Sequence, residues 1–136
     1  MTAPAIARAV LVGNAGVTAL VPASNIIADE VVPGDVGLPL ILIKLVSGFD
    51  MNPLTPAATV FVRQRVQVEV HAADAPARKA IKKAVRRAGL SNPAPDLPGY
   101  GNITMHTEGE GPDFTVGTSS VRIGEQDFII TFSETI

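Results

Sequence analysis

The segment HTEGEGPD, residues 106–113, gathers His106, Glu108, Glu110 and Asp113. Imidazole nitrogen and carboxylate oxygen are the ligand types that hold a divalent cation. Gly109 and Gly111 interrupt the segment, and no flanking residues form a pattern that would orient such ligands, so no metal site is expected. The other histidine, His71, stands alone at the end of an alternating stretch, on its polar side, and reads as structural or solvated. The chain has no cysteine, which removes disulfides and thiolate metal sites and fits a reducing compartment. Neither a Gly-x-Ser-x-Gly elbow nor a phosphate loop is present, and GNAG at residues 13–16 is too short for a dinucleotide fingerprint. The sequence therefore reads as that of a protein that is not an enzyme and takes no cofactor.

The other chemically distinctive stretch is ARKAIKKAVRRAGL, residues 77–90. It carries Arg78, Lys79, Lys82, Lys83, Arg86 and Arg87 in a chain of net charge −2. At ~100° per residue, Ala77, Ala80, Ile81, Ala84, Val85 and Ala88 fall within about 140° of arc, and the cations take the remainder. The apolar stripe is small enough to lie close on a sheet, which explains the helix without any ligand. The cationic side could engage phosphates with strong salt dependence. It has no Asn or Gln for base edges, and the chain has one tyrosine and no tryptophan for stacking. No sequence-reading DNA or RNA motif is present. Three uses stay open: a solvated face, pairing with acids such as Asp96, Glu108, Glu110 and Asp113 on a neighbouring copy, and sequence-independent contact with a DNA backbone.

The elements that would position these residues follow from spacing. Thr2 and Pro4 suit a helix start, and Ile6, Val10, Gly13, Val17 and Leu20 continue it at three- and four-residue steps, with a break expected near 13–16 and an end at Pro22. A short strand is expected within 25–32. LPLILIKLV, residues 38–46, is apolar on both faces, as for a strand covered twice or packed in an interface. Residues 47–58 read as a long loop carrying Phe49, Met51 and Leu54. Over 59–71 Val60, Val62, Val66, Val68 and Val70 alternate with Arg63, Arg65, Gln67, Glu69 and His71. Phe61 and Gln64 break the pattern, so a bulge or twist is expected there. Asp74 caps the basic helix, Pro76 lies in its first turn and Gly89 near its end. Loops are expected over 91–101 and 109–117, a short strand over 103–107, and one strand or a hairpin bent at Gly124 over 121–133. This order predicts one domain, residues 1–136, of α+β class: a mostly antiparallel sheet of about four to five strands with two helices packed on one face. No membrane span is expected, because the longest uncharged run is broken by Gly13, Asn14, Gly16, Pro22 and Asn25. The 46% hydrophobic content and mean hydropathy of +0.30 fit either an Ala- and Val-rich core or apolar surface buried against other subunits.

The succession VTALVPASNIIA (17–28), GLPLILI (37–43), RVQVEVHAAD (65–74), GPDF (111–114) and EQDFIITF (125–132) resembles the tail-completion, or tail-terminator, proteins of long-tailed bacteriophages and gene-transfer particles. Leu40 and His71 stand where that family often carries aromatic residues. The resemblance implies a structural virion protein, forming a ring of usually six copies at the head-proximal end of the tail after assembly in the host cytoplasm. Its implied partners are other copies of itself, the tail tube protein and a head-proximal connector or stopper protein, with DNA passing and no membrane. On that reading Phe49, Met51, Leu54 and Phe114 are interface residues that order on docking. A small DNA-backbone-binding protein, or another neck or minor tail component, is the alternative.

Overall fold

A computed structural model of the chain describes residues 2–28, 37–51, 59–90, 100–111, 113–115 and 121–135. Helix α1 (Thr2–Val12) buries Ile6, Val10 and Leu11. The break expected near 13–16 is a recapping. Asn14 Oδ1 accepts from the Val17 amide at 3.2 Å and starts a short helix α2 (Ala15–Thr18). Val17 is buried, whereas Leu20, assigned above to the same apolar stripe, lies beyond α2 and is exposed. A 3-10 turn after Pro22 leads to strand β1 (Ile26–Ile27).

Strands β2 (Leu40–Met51), β3 (Thr59–Ala72), β4 (Tyr100–Glu110), β5 (Phe114–Thr115) and β6 (Arg122–Thr135) complete one mixed sheet in the order β1-β2-β3-β6-β4, with β5 beside β6. β1 runs parallel to β2, and every other pairing is antiparallel. Helix α3 (Ala75–Leu90) and α1 cover the same face. The fold is thus the expected α+β class, with six strands among the described residues once the two-residue pieces are included. None of its described helices is long and apolar enough to cross a membrane.

The even-numbered residues of β3 face the helices: Val62, Val66, Val68 and Val70 are buried with Ile41 and Ile43 of β2 and Phe128, Ile130 and Phe132 of β6. Gln64 shares that face without breaking it, because its Oε1 accepts from the Ala3 amide at 3.1 Å. Phe61 lies on the opposite face and is exposed. The bulge expected there is absent; β3 keeps an unbroken register with β6, and the irregularity falls on β2, between Leu45 and Ser47.

Three loop expectations are corrected. β2 continues through Met51, pairing Ser47–Met51 with Arg65–Phe61, so Phe49 and Met51 belong to a strand. Gly48 permits this, since a Cβ there would overlap the Gln64 side chain. Leu54 lies outside the described residues. β4 starts at Tyr100 and ends at Glu110, longer than the 103–107 expected. Its left-handed residue Asn102 sits within a register shift between Gly101 and Thr104. Phe114, assigned to a loop, pairs with Ile123 in β5. β6 is one strand with no hairpin at Gly124.

Candidate functional site

Helix α3 begins where Asp74 Oδ1 accepts from the Ala77 amide at 2.8 Å. Its stripe of Ile81, Val85 and Ala88 is buried against the sheet. Gly89 is buried too, and a Cβ at that position would overlap the Phe128 ring, so the missing side chain lets the helix end lie directly on β6. Near the other end, Gly124 of β6 leaves room for the stems of Arg78 and Lys82.

The six cations of this helix divide into two sets. Lys82 Nζ donates to Asp113 Oδ1 at 2.9 Å and lies 3.6 Å from Glu110, and Arg78 lies 3.6 Å from Asp113. The Lys82 hydrogen bond, with the nearby charges of Lys82 and Arg78, holds the Asp113 carboxyl below its ordinary range. Lys79, Lys83, Arg86 and Arg87 are exposed and make no hydrogen bond or ion pair among the described residues. An open cleft along the helix is lined by Lys79, Lys82, Lys83, Arg86, Glu110 and Asp113, so its charge is mixed. The acids expected to meet this helix on a neighbouring copy include Glu110 and Asp113, which instead meet it within the same chain.

On the sheet face that the helices leave open, the polar residues of β3 pair across strands. Lys44 Nζ donates to Glu69 Oε2 at 2.6 Å, and the His71 ring stands 3.1 Å from the other oxygen. Arg65 donates through Nε and Nη2 to Asp127 Oδ2, at 3.1 and 2.5 Å. Gln67 donates to Glu125 at 3.1 Å. His71, then Lys44, draw the Glu69 carboxyl below its ordinary range against the opposing effect of burial. Burial, then repulsion from Glu69 and Asp127, pushes Glu125 up. Asp127 raises the Arg65 guanidinium further still. These pairs fasten β2, β3 and β6 in register; no nucleophile with an attendant base stands among them. Sequence reasoning missed the network, although the alternation of Arg65, Gln67, Glu69 and His71 put all four on one face.

A third feature is an open strand edge. β1 covers β2 only at Ile41 and Leu42, so among the described residues no strand pairs with the outer edge of 43–51. Leu45 and Val46 on this edge are 45% and 51% exposed, and Phe61 of the next strand is 47% exposed, which makes the region apolar as well as unpaired. Phe49 and Met51 have their backbones in the same stretch.

The residues first singled out for metal chemistry are dispersed. β4 sends His106 to the open face and Glu110 to the helix face, while Asp113 pairs with Lys82. No group of three or more His, Asp or Glu among the described residues is arranged to hold a metal ion.

No protein-family model matches the chain, and no curated protein sequence matches it either. Among solved structures, a chain in the virion of a native gene transfer agent particle shares the fold, with a TM-score of 0.65 at 17% identity, over 96% of this chain and 93% of that one.

Proposed function

We propose that this chain is a structural virion protein that acts by binding rather than catalysis: a tail-terminator subunit whose ring caps the tail tube and joins it to the head connector. The observation that carries this reading is the fold shared with a chain of a gene transfer agent virion, aligned over 96% of this chain and 93% of that one. It agrees in kind with the resemblance of the strand and helix segments to tail-completion proteins. The open, apolar edge of β2 adds physical support. A long unpaired edge without protection is an aggregation hazard in a lone molecule, and a sister molecule that covers it removes the hazard. A head-to-tail contact of this sort closes into a ring when its rotation allows.

In this reading the head-proximal end of the tail is where the protein resides. The tail tube protein and a connector or stopper protein are its partners, and Phe49, Met51, Leu54 and Phe114 belong to docking surfaces. The experiment is negative-stain imaging of the purified protein alone and mixed with tail tubes from the same particle. Rings of uniform diameter, seated at one end of each tube, are the expected result. Tubes that stay bare at a large excess of protein would refute the capping role.

A further inference from the structure

The division among the α3 cations points to a second ligand. Arg78 and Lys82 already hold Asp113, yet Lys79, Lys83, Arg86 and Arg87 stand exposed on the same helix and make no ion pair among the described residues. Elsewhere the described cations are engaged: Arg8 on the carbonyls of Ile26 and Ala23, Lys44 on Glu69, and Arg65 on Asp127, with Arg63 the exception and Arg122 also in contact. Among the described residues, positive charge without an ion-pair partner is thus concentrated on one helix of a chain whose net charge is negative.

The chain's own acids are a poor match for this set. Glu69, Asp127, Glu125, Asp113 and Glu110 are bound as described, and Asp74 caps α3. The described acids left over are Asp50 on β2, Glu134 on β6 and Glu108 on β4, the last lining a hollow with Arg86 and Glu110 without an ion pair to it. A second copy therefore offers no matching carboxylate cluster among these residues. A duplex does. Lys79 to Arg87 spans about 12 Å of helix at 1.5 Å per residue, and a double helix presents roughly seven phosphates over that distance. The face carries no aromatic side chain for stacking on unpaired bases, and no amide for base edges.

We propose that Lys79, Lys83, Arg86 and Arg87 form a contact for the phosphate backbone of double-stranded DNA, without sequence preference. This inference does not rest on the ring reading. The test is fluorescence anisotropy of a labelled duplex of arbitrary sequence, titrated with the full-length protein. Four phosphate contacts predict a fall in affinity of roughly 10²-fold between 50 and 200 mM salt. Two double variants, K79Q/K83Q and R86Q/R87Q, should each lower the slope of log affinity against log salt by about 2 while melting as wild type does. Because all four side chains are exposed, at least one double variant is expected to fold. Equal binding of two unrelated duplexes is expected. Absence of binding at 50 mM salt, or an unchanged slope in a folded double variant, would overturn the proposal. Tight binding of a polyglutamate peptide with none of the duplex would overturn it in favour of an acidic protein partner.

Discussion

The two faces of the sheet are built on opposite principles. The helix-covered face is close-packed, with Phe128, Phe132, Ile130 and Val62, Val66, Val68 and Val70 of β3 enclosed. The open face is held by Lys44, Glu69, His71, Arg65, Asp127, Gln67 and Glu125, partly in solvent. Packing energy depends on volume and is indifferent to pH. Ion pairing near water is worth little per pair, and it titrates. The helix-covered face thus supplies most of the packing, whereas the open face, where Leu40, Leu42 and Ile123 are also buried, fixes strand register and leaves its chemistry adjustable.

The largest break in this contrast is Phe128→Ala, which empties the packed face and should lower stability by about 3–5 kcal/mol, read as a large drop in Tm. Gly89→Ala comes next. Alanine is the better helix former, yet its Cβ would overlap the Phe128 ring, so a loss of about 1–3 kcal/mol is expected. Adding Phe128→Leu should restore part of it, an interaction that a double-mutant cycle measures.

On the open face, Glu69→Gln removes the charge that Lys44 and His71 share and should lower stability by about 1–2 kcal/mol at pH 7. Because the folded Glu69 carboxyl lies below its ordinary value of 4.5, its contribution is complete above that value and disappears as the pH falls through the folded one. The wild-type advantage over Glu69→Gln should therefore shrink as the pH falls below about 4.5, as melting curves at several acid pH values will show. Glu125 has the opposite sign. Its carboxyl is pushed up, so the ionised form is penalised at neutral pH and relieved as the pH falls through the raised value. Glu125→Gln should raise Tm by about 1–2 °C at pH 7, and the gain should vanish near pH 4.

The packed face was the more legible of the two. Valines at 60, 62, 66, 68 and 70, alanines at helical spacing in 77–88 and the terminal run Phe128, Ile130, Phe132 announce burial by period alone. Strand length was less visible. Gly48 and Gly109 look like loop residues, but each sits in a strand, and Gly48 does so because Gln64 crowds it. The partners of the charges were less legible still. That Lys82 would reach Asp113, or Lys44 reach Glu69, depends on sheet order and register, which local periodicity does not encode. For the same reason the basic helix read as one uniform face, although among the described residues the fold divides it into a paired set and an unpaired set. The exposed edge of β2 was hidden because its partner, β1, is only two residues long.

The central claim is that this edge is covered by sister molecules. Its most direct test is the solution mass by multi-angle light scattering across a concentration series, for the wild type and for L45K/V46K. The account predicts a fixed multiple of the 14.1 kDa chain for the wild type and a shift toward 14.1 kDa for the variant, with its fold retained. A wild-type mass of 14.1 kDa at every concentration would contradict it.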